Sequence, residues 1–249
     1  MRLENKVAMI TGGARGIGEE IALTFAREGA HLALADINEE GLNSISQKIR
    51  ALGRKVISAK VDITQKEEVS QFMKSIVKEF NRLDILVNNA AYIHYAPFLD
   101  YKIEEWDKVV AVCLRGTFLC SQAAAKEMIK NRYGRIINIA SVAGQIGVPM
   151  GSSYCTVKGG IIAFTRLLAV ELAAFGIHAN SISPGAIDTE NLRSVVGDDG
   201  IEIRRSIVPI GRIGQVDDIA KVALFLASTD ADFISGENLN VDGAFMASP

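Results

Sequence analysis

The chain has 249 residues, 49% of them hydrophobic and 22% charged, enough to bury a substantial core as one large α/β domain or two of average size. Twenty-seven basic residues against 29 acidic ones leave a formal charge of −2, and no Lys/Arg run is long enough for a polyanion footprint, which excludes nucleic-acid binding. No stretch approaches the ~18 uninterrupted apolar residues of a membrane span, and three cysteines and three scattered histidines offer neither a disulfide framework nor zinc-ligand spacing. The expectation is a cytoplasmic protein in a reducing compartment, without metal, membrane or nucleic-acid partner.

In chain order, the first strand candidate, Lys6–Ile10, runs into the turn Thr11–Gly18 and a helix over Gly16–Glu28. His31–Ala35 is followed by Glu39–Leu52, Lys55–Val61 by Lys66–Phe80, and Ile85–Asn88 by Glu104–Lys130 with a break. Arg135–Ala140 precedes a helix over Ser152–Phe175; His178–Ser183, a helix over Val216–Ala227 and Asn238–Val241 complete the series. Short β-branched runs alternating with amphipathic stretches predict a parallel sheet covered by helices on both faces. No linker or repeat divides the chain, so residues 1–249 read as a single Rossmann-type, doubly wound α/β domain of seven strands. Between strand and helix, residues 188–212 carry Gly197-Asp198-Asp199-Gly200 and little apolar periodicity. Such an insertion is a substrate lid or a disordered surface loop, and its position after the last central strand favours the lid.

Glycines at 12, 16 and 18 allow a tight strand-to-helix turn in which backbone N–H groups approach a pyrophosphate, although such a turn also serves packing alone. A Walker loop needs Lys-Ser/Thr after Gly18, where this chain has Glu19-Glu20; nor is the spacing strictly G-x-G-x-x-G. Asp36, ending the second strand, is placed to accept from adenosine ribose hydroxyls and to repel a 2′-phosphate, or else to cap the helix near Glu39. Arg15 has no basic companion at Ile37 or Asn38, so NAD is expected over NADP. Tyr154 and Lys158, four apart on a helix, share a face; a nearby cation lowers the pKa of a phenol toward the working range, although such pairs are common on ordinary helices. Ser141 follows the fifth strand, where open α/β sheets place ligands, and is either a substrate-orienting hydroxyl or a turn cap.

With these residues in view the chain resembles the short-chain dehydrogenase/reductase family over nearly its whole length. The matches are the T-G-x-x-x-G-x-G turn of Thr11–Gly18, Asp62, Asn88-Asn89-Ala90-Ala91, Ser141, Y-x-x-x-K at Tyr154–Lys158, and Pro184-Gly185. The resemblance implies a homotetramer that binds NAD and moves hydride between the cofactor and a small-molecule secondary alcohol or ketone. It makes Tyr154 the general acid/base, Ser141 the orienter of the reacting oxygen, and Lys158 both the depressor of the phenol pKa and a ribose ligand. The cofactor contacts it implies are Gly12, Arg15, Gly16, Ile17 and Gly18, with Asp36 and Ile37, and Asp62 and Ile63 at the adenine. Asn89 and Ala90 fall near the ribose, Tyr154 and Lys158 also contact the cofactor, and Pro184, Gly185, Ile187 and Thr189 complete the set, the last two at the carboxamide. Two positions depart: Cys113 stands where the family carries a catalytic Asn, and Ala91 where Gly is usual.

A substrate would be bounded by 91–98, 142–150 and 188–212, which contribute Tyr92, His94, Tyr95, Phe98, Gln145, Ile146, Val148 and Met150. This mixed lining suits a polyol, sugar or hydroxyketone. The alternatives are a 3-oxoacyl-carrier-protein reductase, disfavoured by Asp36 and by Phe175 at a position often basic in such enzymes, and a catalytically silent nucleotide-binding regulator.

Overall fold

The computed structural model describes residues 1–248, and for Asn191 and Val195 the backbone alone; Pro249, the last residue of the expected domain, lies outside the described residues. Strands β1 (Val7–Thr11), β2 (His31–Asp36), β3 (Val56–Lys60), β4 (Ile85–Asn88), β5 (Gly134–Ile139), β6 (Ile177–Pro184) and β7 (Asn238–Val241) form one sheet. Its order is β3-β2-β1-β4-β5-β6-β7 and every pairing is parallel. Crossovers are made by α1 (Gly16–Arg27), α2 (Glu39–Ala51), α3 (Lys66–Phe80), α4 (Ile103–Val110), α5 (Thr117–Asn131), α6 (Ser152–Leu172), α7 (Glu190–Ile207) and α8 (Val216–Ala227).

Strand periodicity explains why the central strands are apolar on both sides. Ala8 and Ile10 of β1, Leu32 and Leu34 of β2, and Ile85 and Val87 of β4 join one core with Phe25, Ile45, Ile49 and Ala223 from α1, α2 and α8. The alternate residues Val7, Met9, Ala33, Ala35 and Leu86 join the other, with Phe72, Ile76, Ala124 and Leu168 from α3, α5 and α6. A sheet covered on both faces needs such continuous runs. Strand order reverses at β1, whose neighbours are β2 and β4, and the crevice beyond the carboxyl ends of those strands is where open α/β sheets take ligands.

Two expectations need correction. Residues 188–212 are mostly helical where a loop is expected: the greater part is α7, capped by the Thr189 hydroxyl, which accepts from Leu192 N at 3.2 Å, and kinked at Gly197 (φ 64°, ψ −179°). The glycines and aspartates that read as a turn mark the kink between two helical pieces. The break expected within Glu104–Lys130 is a π-helical turn, Ala111–Gly116, that keeps α4 and α5 continuous and holds Cys113. Insertions of this kind bend a helix without ending it.

Candidate active site

The turn after β1 is shaped by close backbone approach. Gly12 has φ +65°, and a Cβ there would lie 2.8 Å from the Ala90 Cα; a Cβ on Gly18 would stand 2.1 Å from the Gly12 carbonyl oxygen and 2.6 Å from Asn89 Nδ2. Asn89 braces the turn, its Nδ2 donating to the carbonyls of Thr11 (3.2 Å) and Gly12 (2.9 Å), while Thr11 Oγ1 accepts from the N–H groups of Asn89 and Ala90. No side chain caps the N-terminus of α1, where Arg15 is exposed, so its first N–H groups are left to an incoming anion. Glu19 in that first turn is held by Lys48 (2.7 Å), and Glu20 after it by Arg27 (2.9 Å). Ile17 is partly buried against the core beneath.

Asp36 closes the turn from the β2 side: its Oδ2 accepts from Ala14 N and its Oδ1 from Asn38 N, each at 3.0 Å. The capping role open to Asp36 belongs instead to Asn38, which accepts from Gly41 N at 3.1 Å. Ile37 beside it is 68% exposed. After β3, Asp62 folds an Asx turn around Thr64, accepting from its N–H (2.9 Å) and hydroxyl (2.8 Å). Ile63 is buried against Gly116 of the π turn.

Beyond β6, Gly185 N donates to the Val241 carbonyl (3.0 Å), and Ile187 bridges to Gly214. Thr189 approaches the glycine turn, since a Cβ on Gly16 would meet its Cγ2 at 3.7 Å. Pro184, at the end of β6, and Gly185, Ile187 and Thr189 beyond it thus follow the carboxyl end of that strand, with Thr189 next to the glycine turn.

Ser141, Tyr154 and Lys158 meet between β5 and α6. Ser141 caps a short 3₁₀ turn, accepting from Ala143 N at 3.1 Å, so it acts as a turn cap and also lies by the tyrosine. Gly144 of that turn sits directly on α6, where a Cβ would lie 2.6 Å from the Lys158 carbonyl carbon. Tyr154 is partly buried, and burial pushes its phenol up to about 12 against a smaller opposing hydrogen bond from Ser141. Lys158 is 3% exposed; its Nζ donates to the Ile139 carbonyl at 2.7 Å and lies 5.6 Å from the Tyr154 ring centre. Desolvation holds the ammonium below its usual range. In the chain by itself burial sets the net displacement of the phenol upward, while the Lys158 ammonium is committed to the Ile139 carbonyl.

Cys113 is buried in the π turn. Its thiol donates to the Tyr92 carbonyl (3.3 Å) and its own carbonyl accepts from the Thr117 hydroxyl (2.7 Å). Of the residues expected to bound a substrate, Tyr95 packs on Tyr154 with ring centres 6.0 Å apart, and its loop is tied down by Ala96 N donating to Met150 O (3.0 Å). Tyr92 instead donates its hydroxyl to Glu105, Gln145 donates to Asn240, and Phe98 is 78% exposed.

One supporting element was not foreseen. A buried polar chain runs from Ser121 through Asn88 and Asn138 to Thr165, with Asn88 Nδ2 donating to both Ser121 Oγ (2.9 Å) and Asn138 Oδ1 (2.8 Å), and Asn138 Nδ2 to Thr165 Oγ1 (2.9 Å). It ties β4 and β5, which lead into Asn89 and Ser141, to α5 and to α6, which carries Tyr154. Its trace in the sequence is an asparagine within the mainly apolar runs of β4 and β5.

Among the described residues no cluster of His, Cys, Asp or Glu could hold a metal ion, and no helix is long and apolar enough to cross a membrane. Comparison with known proteins accounts for the assembly as a whole. A family model described as enoyl-(acyl carrier protein) reductase matches residues 12–245. The chain is 37% identical over 246 residues to the 3-oxoacyl-acyl-carrier-protein reductase FabG of Thermotoga maritima, covering 99% of this chain and 100% of that one. Levodione reductase superposes with a TM-score of 0.97 at 31% identity over 100% of both chains. NAD+-bound xylitol dehydrogenase does so with 0.93 at 34% identity, covering 98% of this chain and all of that one. With a seven-stranded doubly wound sheet, a glycine turn at its switch point and similarity from end to end, the chain belongs to the short-chain dehydrogenase/reductase family of oxidoreductases.

Proposed function

We propose that the protein transfers hydride between NAD(H) and a secondary alcohol or ketone, a small polyol, sugar or hydroxyketone, with Tyr154 as general acid/base. The observation that carries this reading is the convergence of Ser141, Tyr154 and Lys158 beside a turn whose Gly12 and Gly18 leave room for no side chain. That cradle fits a dinucleotide: the open N-terminus of α1 takes the pyrophosphate, Asp36 the adenosine ribose, Asp62 and Ile63 the adenine end, and Ile187 and Thr189 the carboxamide. Bound there, NAD supplies the hydride acceptor and a positive ring that favours phenolate. Tyr154 takes the proton of the substrate hydroxyl during oxidation and returns it during reduction; Ser141 orients the same oxygen, and Lys158 reaches the nicotinamide ribose. Residues 188–212, chiefly α7, act as the substrate lid.

Asp36 underlies the choice of NAD, because a carboxylate at the ribose repels a 2′-phosphate. Fluorescence titration is expected to show NADH binding at least tenfold more tightly than NADPH, with Asp36→Ser narrowing the gap; tighter binding of NADPH overturns the assignment. The activity itself is tested by following NAD reduction across polyols, sugars, hydroxy acids and steroid alcohols.

Cys113 retains a backbone carbonyl but no amide to share in proton relay toward Lys158. Cys113→Asn is accordingly expected to raise kcat several-fold and alter its pH profile; if both stay unchanged, the position plays no part in the relay. The outer faces of α5 and α6 expose Phe118, Leu167 and Val170, and Phe233 before β7 is fully exposed, apolar surface that supports a homotetramer. A second reading, reduction of an acyl-carrier-bound ketone, draws on the similarity to the Thermotoga enzyme. Against it, Arg132 is spent on the Ala174 carbonyl (2.9 Å) and Phe175 gives no second cation.

A further inference from the structure

The loop that follows β4 lies against the first turn of α6, and the two are joined at several points. Ala96 N donates to the Met150 carbonyl at 3.0 Å. The Tyr95 ring covers Gly151, where a Cβ would stand 3.5 Å from its Cε1, and meets the Tyr154 ring with centres 6.0 Å apart and planes at 57°. A further contact comes from beyond the 3₁₀ turn Phe98–Asp100. Tyr101, just before α4, reaches both sides of the junction with its hydroxyl, which bonds to the His94 carbonyl at 3.1 Å and to Ser153 Oγ.

A proton count gives this junction a direction. A carbonyl can only accept, so the Tyr101 proton goes to His94, and the Ser153 hydroxyl donates to the Tyr101 oxygen. The chain therefore runs from Ser153, the residue before Tyr154, through Tyr101 to the backbone of the residue before Tyr95. Ser153 is fully buried, and among the described residues its side chain has no other hydrogen bond, so nothing else answers its proton. The Tyr101 ring is held separately, by edge contacts with His94 (centres 5.5 Å apart, planes at 89°) and Trp106 (6.4 Å, 85°). Removing the hydroxyl alone thus keeps the ring seated and cuts only the chain. The reacting groups have anchors of their own: Lys158 Nζ holds the Ile139 carbonyl, Ser141 caps its turn, and Gly144 of that turn packs on the α6 backbone. What depends on the chain is Tyr95, which leaves 37% of its surface open beside Tyr154.

We propose that Tyr101 is a positioning residue for substrate binding: its hydroxyl tethers the loop carrying Tyr95 to α6, and so sets Tyr95 as the wall against which the substrate is seated at Tyr154. This rests on the hydride-transfer reading above and adds to it a residue that touches neither substrate nor cofactor. A wall meets the substrate equally before and during hydride transfer, so loosening it raises KM and spares kcat.

The test uses the whole protein with NAD(H) and the best substrate among xylitol, sorbitol, dihydroxyacetone and acetoin. Tyr101→Phe is expected to raise KM by about threefold to tenfold, the range for one net hydrogen bond, with kcat and NADH affinity nearly unchanged. The stranded Ser153 hydroxyl also lowers the thermal midpoint. Tyr101→Phe combined with Ser153→Ala removes that hydroxyl too, so the midpoint recovers while the raised KM stays, a split that a merely structural role does not produce. In a Tyr95→Ala background Tyr101→Phe has no further effect on KM, because the wall it positions is gone. An unchanged KM in Tyr101→Phe, a KM that recovers together with the midpoint, or an equal rise with and without Tyr95 overturns the proposal and leaves the dehydrogenase reading standing. If NADH binds but wild type turns over none of the four compounds, the reading as a dehydrogenase of small polyols and hydroxyketones falls and takes this one with it.

Discussion

Tyr154→Phe is expected to lower alcohol oxidation and ketone reduction by about 10²- to 10⁴-fold, the span of a lost general acid/base, while NADH binds as before. The change removes one oxygen and keeps the ring that packs against Tyr95, so folding is preserved and the effect falls on kcat. The pH profile gives a second check. A group pushed up to about 12 by burial is overwhelmingly phenol at neutrality, the form that donates a proton to a ketone oxygen. Wild-type reduction should therefore be favoured near neutrality and oxidation should climb as the solution becomes alkaline, with bound NAD moving the midpoint down. Activity surviving in Tyr154→Phe removes the proposed mechanism.

Gly18→Ala is expected to abolish measurable NADH binding and to lower the thermal midpoint. The added methyl would fall 2.1 Å from the Gly12 carbonyl oxygen, a backbone atom, and 2.6 Å from the Asn89 side-chain amide, which is pinned by its bonds to Thr11 and Gly12. Overpacking of this kind costs about 1–3 kcal/mol, and here the displaced backbone is the floor of the cofactor cradle. Fluorescence titration beside thermal unfolding separates the two losses. Unchanged NADH affinity would show that the turn is not the pyrophosphate site. Gly53, with φ +75° and open space around it, is the contrasting position, where alanine acts only through backbone strain.

The sheet and most helices were legible because both rest on periodicity. Continuous apolar strands alternate with amphipathic helices, and burial on both faces enforces that pattern. The helix α7 was hidden because Gly197, Asp198, Asp199 and Gly200 are turn formers, and the helical pieces on either side are short and mixed in charge. Within the site, spacing alone placed Tyr154 and Lys158 on one helix face. It could not show that the lysine would be drawn to the Ile139 carbonyl, since that partner lies on a strand 19 residues away. Asp36 was read for its distance from the glycine turn, but its grip on Ala14 N, 22 residues back, arises only when β1 and β2 pair. Pairing across the sheet also creates the amide chain through Asn88 and Asn138. Local pattern thus supplied the elements, and contacts distant in sequence set the fine placement of polar atoms.

The reversal of strand order at β1 bears on how the protein is assembled. Met9 of β1 lies opposite both Ala33 and Leu86, so one wall of the crevice comes from early in the chain and the other from beyond its first third. Asn89 then reaches back 77 residues to hold Gly12. A nascent or truncated chain ending before β4 has the glycines but no opposite wall, and the long loop closure that joins β1 to β4 is the slow kind of step in parallel sheets. A nucleotide bound as proposed would stabilise only molecules in which that closure has occurred, making the cofactor a late selector of completed folds that gives no help to the intermediates before them.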